Sequence, residues 1–308
     1  MARRRTRETK TSRADEQQGR RAGAGVHTPV RSPDRPFLTV PVPEAPVPHA
    51  VPLDTPDPHA LLGQVAVSAE RFVTTVAVLE DDELRAPSAL EGWTRGHVVA
   101  HVARSADAYV WLLRTAGGGV APGPRLSAAE LAGAVEADAG RDGLAGQVRS
   151  SLDRFTDEAR ALPAEAWRRM VCALAGWRHP AWFTLHRCRR ELETHHVDLR
   201  LAYGTRDWPA EYVSWALEET VATLRARDFP VASVHATDLG RTWRVGAGGP
   251  SVAAPGHALL GWLAGRLPAP APVDDAARTD LPRAPDDLAL PRPPVWPRPP
   301  YPGWGRCD

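Results

Sequence analysis

Residues 182–204 read WFTLHRCRRELETHHVDLRLAYG, and the interpretation of this stretch decides the fold. It follows Gly176 and Pro180, carries a helical pattern from Trp182 to about Ala202, and ends at Tyr203-Gly204 with a glycine stop. On such a helix Glu191 and His195 are four residues apart, so they share a face about one turn from each other. At that spacing two side chains can grip one ion, and a third ligand must come from another segment.

Working back toward the N-terminus, Asp57-Pro58 is a helix start, after which Leu61, Val65, Ala69, Phe72, Val76 and Leu79 fall on one helical face. Gly92-Trp93-Thr94 closes a loop, and Thr94 can cap a second helix that runs to about Thr115, where three glycines stop it. Ser127 and Glu130 have the spacing of a capping box, and Leu144 to Leu162 is again helical. Residues 57–205 therefore read as a bundle of about four helices. Beyond Trp208-Pro209 comes one more helix to about Arg227, then short β-like runs at 231–237 and 242–245, then a helical run at 255–267. This is the pattern of a small α/β domain over 206–267, so the fold class is α plus α/β. Residues 1–56 and 268–308 are rich in proline and lack apolar periodicity, and both are expected to be disordered tails dispensable for folding.

A chain of 308 residues with 43% hydrophobic content can supply two cores, and its formal charge of +1 provides no general attraction to nucleic acid. The basic arm within the first 21 residues is the one exception, and it reads as a solvated tail. No apolar run approaches a membrane span, and no apolar core follows the basic start as in a signal peptide. Cys172, Cys188 and Cys307 have no CxxC spacing, which suits a reducing compartment better than a disulfide framework, so a cytoplasmic location is expected. Neither a membrane nor a nucleic-acid partner is expected.

The third ligand has two candidates, since His97 and His101 are four apart on the second helix and bundles build metal sites from facing helices. Either histidine completes the set. Three nitrogen and oxygen ligands leave a fourth position open, which is the arrangement of a catalytic rather than a structural zinc.

The strings GWTRGHVVAHVARSADA at 92–108 and RRELETHHVDL at 189–199 together resemble the mycothiol-dependent maleylpyruvate isomerase family, whose N-terminal domain is a DinB-like metal-binding bundle. The resemblance selects His101 over His97 and implies a metal site of His101, Glu191 and His195. His196 projects roughly 100° from His195 on the helix, which leaves it a supporting or packing role at best, and Asp198, one turn beyond His195, either holds that ligand's far ring nitrogen or serves as a cap or surface residue. The family's small C-terminal domain carries a W-L-x-G-R motif that Trp262-Leu263-Ala264-Gly265-Arg266 matches, so the resemblance also makes Arg266 a catalytic candidate that clamps a substrate carboxylate. Trp93 and Trp262 read as packing anchors, and Cys188, on the same stripe as Glu191 and His195, as a buried inert thiol.

What the resemblance implies is an enzyme with zinc or another divalent metal, and with mycothiol as thiol cosubstrate, acting on a small electrophilic or carboxylated molecule. Isomerisation of maleylpyruvate to fumarylpyruvate is the reference reaction. An open metal position suits this, because a metal stabilises the thiolate, the nucleophilic form. Two other functions use the same helices: a mycothiol S-transferase acting on electrophiles, and a metal-binding protein without turnover.

Overall fold

The computed structural model describes residues 56–119, 123–270, 290–294 and 304–307. Helix α1 (Pro58–Ala77) begins where Asp57 accepts a hydrogen bond from the His59 amide at 3.0 Å, with proline at the first helical position where its missing N–H costs nothing. A single turn, α2 (Asp81–Arg85), leads through the GWT loop to α3 (Arg95–Gly117), which ends on Gly118 in the left-handed region (φ 77°). Helix α4 (Ala128–Asp138) starts at the Ser127–Glu130 capping box, in which the Ser127 amide donates to Glu130 at 2.8 Å. Helices α5 (Leu144–Ala161) and α6 (Phe183–Asp198) complete the bundle.

Helices α1, α3, α5 and α6 pack on one another around Phe72, Leu113, Phe155 and Leu185, all fully buried. Helix α4 lies against α3, and close approach there needs Gly96, because a Cβ at that position would stand 2.2 Å from the Ala139 carbonyl oxygen. Helix α6 is shorter than the sequence pattern suggests. Its amide ladder stops at Asp198, and Arg200 takes a left-handed conformation (φ 53°) that turns the chain away.

A second core forms around α7 (Ala210–Arg225), three strands and α8 (Gly256–Leu263). Strand β3 (Ser233–Ala236) is central, paired antiparallel with β4 (Arg241–Arg244) and parallel with β5 (Ser251–Ala254). Two of these strands coincide with the β-like runs of the sequence, whereas β5, four residues long with a Gly-rich approach, has no such signal. The register sets Val234 opposite Trp243 on one side and Val252 on the other, and all three are buried. Helix α8 ends at Leu263, shorter than the 255–267 run, and the backbone turns at Gly265 (φ 74°) to present Arg266.

Two features correct the expectations for the termini. Within the bundle domain, a hairpin of β1 (Met170–Cys172) and β2 (Arg178–Pro180) acquires a third, short segment from the C-terminus. The Arg178 amide donates to Gly305 O at 3.0 Å, the Cys307 amide donates to Gly176 O at 2.9 Å, and the Arg306 guanidinium lies 4.6 Å over the Trp177 ring. Trp304 packs edge-on against Phe183 with ring centroids 4.8 Å apart. Cys172 and Cys307 are joined in a disulfide, with Cα atoms 6.0 Å apart. Residues 304–307 therefore dock rather than stay loose, because two aromatic contacts, two backbone hydrogen bonds and a crosslink offset the ordering of four residues. The pairing also removes the cysteine-based reason for expecting a reducing compartment. The expectation for residues 1–55 lies outside the described residues. Among the described residues, no helix is long and apolar enough to cross a membrane.

Candidate metal centre

The Thr94 cap of α3 disposes of one histidine and aims the other. Thr94 Oγ1 accepts from the His97 amide at 3.3 Å, while the His97 ring turns back so that Nδ1 meets the Thr94 amide at 3.2 Å, an imidazole in the place a capping-box glutamate would take. The other ring nitrogen of His97 faces Glu136 at 3.4 Å. One turn further, His101 points inward between α3 and α6 and is 6% exposed. Its Nε2 stands 3.2 Å from Glu191 Oε2, and His195 Nε2 stands 3.1 Å from the same oxygen. One potential ligand atom from each of the three residues lies within 4.8 Å of the other two, and among the described residues no other such cluster of His, Cys, Asp or Glu occurs.

The surrounding side chains fix the protons and orientations a metal requires. His195 Nδ1 donates to Asp198 Oδ2 at 2.9 Å, which aims Nε2 at Glu191, and an ion would take the place of the proton that Nε2 donates there. Tyr109 OH donates to Glu191 Oε1 at 3.1 Å, which leaves Oε2 toward the two imidazoles. Burial would raise the Glu191 carboxyl, but hydrogen bonds from His101 and His195 outweigh it and hold the group well below the usual carboxylate range. Burial pushes the His101 imidazole down. At His195 burial acts in the same sense, yet the hydrogen bonds to Asp198 and Glu191 prevail and raise the ring to about 9. An ionised carboxylate between two imidazoles, held by donors behind it, is a donor set that fits one divalent ion.

Arg266 departs from its expected role. Its Nε and Nη2 donate to the two oxygens of Asp198 at 3.0 and 2.7 Å, and Nη1 donates to Ala264 O at 2.7 Å. The planar fork is thus occupied by a buried protein carboxylate, which in turn bonds His195. His196 faces the other way, bonded to Thr75 Oγ1 at 2.8 Å and stacked on Tyr203. Cys188 is buried, and burial pushes its thiol up, away from the thiolate form a ligand needs. Trp93 lies against His97 and His101, and Trp262 sits in the second core. A cavity of about 270 Å³ opens elsewhere, lined by Gln64, Trp182, His186 and Trp215, and contains none of the cluster residues.

Sequence reasoning did not find Tyr109, which follows His101 by eight residues and so returns to nearly the same face of α3 after two turns. Its phenol carried no signal beyond that spacing.

Residues 65–200 match the family model described as the mycothiol maleylpyruvate isomerase N-terminal domain, a span that contains His101, Glu191 and His195. The helical bundle belongs to that family. Beyond the bundle, the chain is similar in fold to a crystal structure of the mycothiol-dependent maleylpyruvate isomerase, at a TM-score of 0.67 and 22% identity, covering 79% of this chain and 98% of that one. A histidine-to-alanine mutant of that isomerase matches equally well, at a TM-score of 0.67 and 21% identity. The likeness to maleylpyruvate isomerase thus extends through the small α/β domain as well as the family's N-terminal bundle. No curated protein sequence matches the chain.

Proposed function

We propose that this chain is a divalent-metal enzyme that uses mycothiol as cosubstrate and carries out cis–trans isomerisation of the maleylpyruvate type. The observation that carries this reading is the convergence of His101, Glu191 and His195 within a domain of the mycothiol maleylpyruvate isomerase family. A divalent ion held by these residues would supply a Lewis-acidic position that favours the thiolate over the thiol. The residues of the chain do the rest. Asp198 holds His195 in one tautomer, Tyr109 turns Glu191, and the α3–α6 walls keep His101 largely from water. The thiolate adds to the activated double bond, forming C–S while the π pair moves to the conjugated carbonyl oxygen. Rotation about the resulting single bond follows, and return of the electron pair expels the thiolate with the trans product.

The test is an assay of purified protein with mycothiol and maleylpyruvate. Trans product with no net loss of thiol is expected, and none when mycothiol is omitted. Stoichiometric thiol loss would replace isomerisation with S-transfer, and no reaction of either kind would overturn the reading.

Arg266 is assigned here as a positioning residue. Arg266→Ala leaves Asp198 buried without its cation and loosens the hold on His195, so affinity for zinc should fall about tenfold to a hundredfold, the range found when outer partners of ligating histidines are removed. Competition against a chromogenic chelator measures it. Arg266→Lys should fall between, keeping charge without the two-pronged geometry. Unchanged zinc affinity in folded Arg266→Ala protein would break the link through Asp198.

A further inference from the structure

Helix α6 carries arginines at 187, 189 and 190, and their partners differ in kind. Arg189 meets Glu211 at 2.7 Å and Arg190 meets Glu219 at 2.7 Å, so both charges are neutralised. Arg187 has no such partner among the described residues. Its Nη1 donates to Nε2 of His179 at 3.1 Å, and its guanidinium lies 5.1 Å over the ring of Tyr109. His179 is fully buried and donates through Nδ1 to the carbonyl of Pro180 at 2.9 Å, so its Nε2 is an acceptor. Burial, with Arg187 and Arg125 nearby, pushes that ring down to about 3, so it stays neutral. The result is an arginine held in place by a neutral acceptor, with no carboxylate at ion-pair distance among the described residues.

A second arginine is held in a similar way. Arg125, in the loop before α4, lies 5.1 Å over the Trp111 ring and likewise has no carboxylate partner among the described residues. Burial, and to a lesser extent the charge of Arg187, lower its pKa. A partly buried guanidinium without a carboxylate partner is costly unless an anion meets it. The place is informative. Arg187 precedes Glu191 by one turn of α6, a displacement of about 6 Å along the helix, and Tyr109 touches both, with its ring under Arg187 and its hydroxyl on Glu191.

We infer that Arg187 and Arg125 form a carboxylate-binding subsite that holds the acidic end of the electrophile one helical turn from the His101–Glu191–His195 cluster. The inference rests on the reaction proposed above for its substrate, and it places in this pair the substrate clamp that Arg266, engaged with Asp198, does not provide. Guanidinium forks suit a carboxylate because they donate paired, charge-assisted hydrogen bonds.

The probe is maleate, a short cis diacid, titrated calorimetrically into full-length protein both loaded with zinc and stripped by chelator. Binding should weaken about tenfold or more in Arg187→Ala, as loss of a charge-assisted pair requires, and should weaken in Arg125→Ala too. Both effects should persist in stripped protein, where maleate cannot ligate an ion. Arg149→Ala, which removes a surface arginine paired with Glu70, should bind as wild type. Arg187→Gln, closer in shape, replaces Arg187→Ala if that variant does not fold. Undiminished maleate binding by the Arg187 and Arg125 variants, or no binding to wild type in either form, overturns the subsite. If the protein takes up neither ion nor mycothiol while maleate binding still depends on Arg187, the proposed reaction fails and the anion site stands.

Discussion

His101→Ala, Glu191→Ala and His195→Ala proteins are each expected to lose the bound ion, while wild type retains about one equivalent of zinc or a similar divalent metal. Each substitution removes one of three ligands, and those left cannot close the geometry around the ion. A fall in affinity of at least about a hundredfold follows, larger than the loss from an outer partner such as Arg266. His97→Ala should keep its metal, because the His97 ring is committed to the Thr94 cap and Glu136. Elemental analysis of folded, desalted protein checks all four. Full metal content in His101→Ala or His195→Ala would remove the site from this cluster, and loss in His97→Ala would move it.

The second large effect concerns stability. Cys307→Ser opens a crosslink between residues 135 apart, whose closure restricts the unfolded chain. The loop-entropy relation gives about 4 to 5 kcal/mol for a loop of this size, within the 2 to 5 kcal/mol usual for native bridges. For a domain of this length that corresponds to a drop of roughly 10 °C in Tm. Cys172→Ser, the double substitution and wild type under reductant should all melt at the lowered temperature, since each removes the same bond. Calorimetric scans with and without reductant decide it. A wild-type Tm indifferent to reductant, matched by Cys307→Ser, would show that the crosslink does not restrain the fold.

The parts of this molecule that could be read in advance are those in which neighbours along the chain determine the outcome. Asp57, Thr94 and Ser127 mark helix starts because a side-chain oxygen bonds an amide two or three residues on, and all three do so. The four-residue spacing of Glu191 and His195 likewise needs only the helix. Choosing His101 over His97 needed the family strings, since periodicity allowed both, and the structure supplies the physical reason: a cap consumes one ring and packing turns the other inward. Interactions across long separations were not legible. Arg187 and His179 meet through a three-residue strand too short to announce itself, and Cys172 and Cys307 are paired by a strap that looks, by composition, like loose chain. The partner of Arg266 was hidden for the same reason: a motif locates an arginine but does not say that Asp198, 68 residues earlier, occupies its fork.

That last contact joins two bodies of the fold. Arg266 leaves the end of α8, built into the second core, and grips a residue of α6 that holds His195, while the Asp198 carbonyl takes the Ala89 amide at 2.8 Å. Seating of the small domain and occupancy of the cluster are thereby coupled equilibria, and such coupling is reciprocal: whatever factor one gains from the other it must return. A molecule that touches only the three-stranded sheet, and favours the state in which Arg266 is engaged, would thus alter how firmly the bundle could hold an ion at the cluster without approaching it.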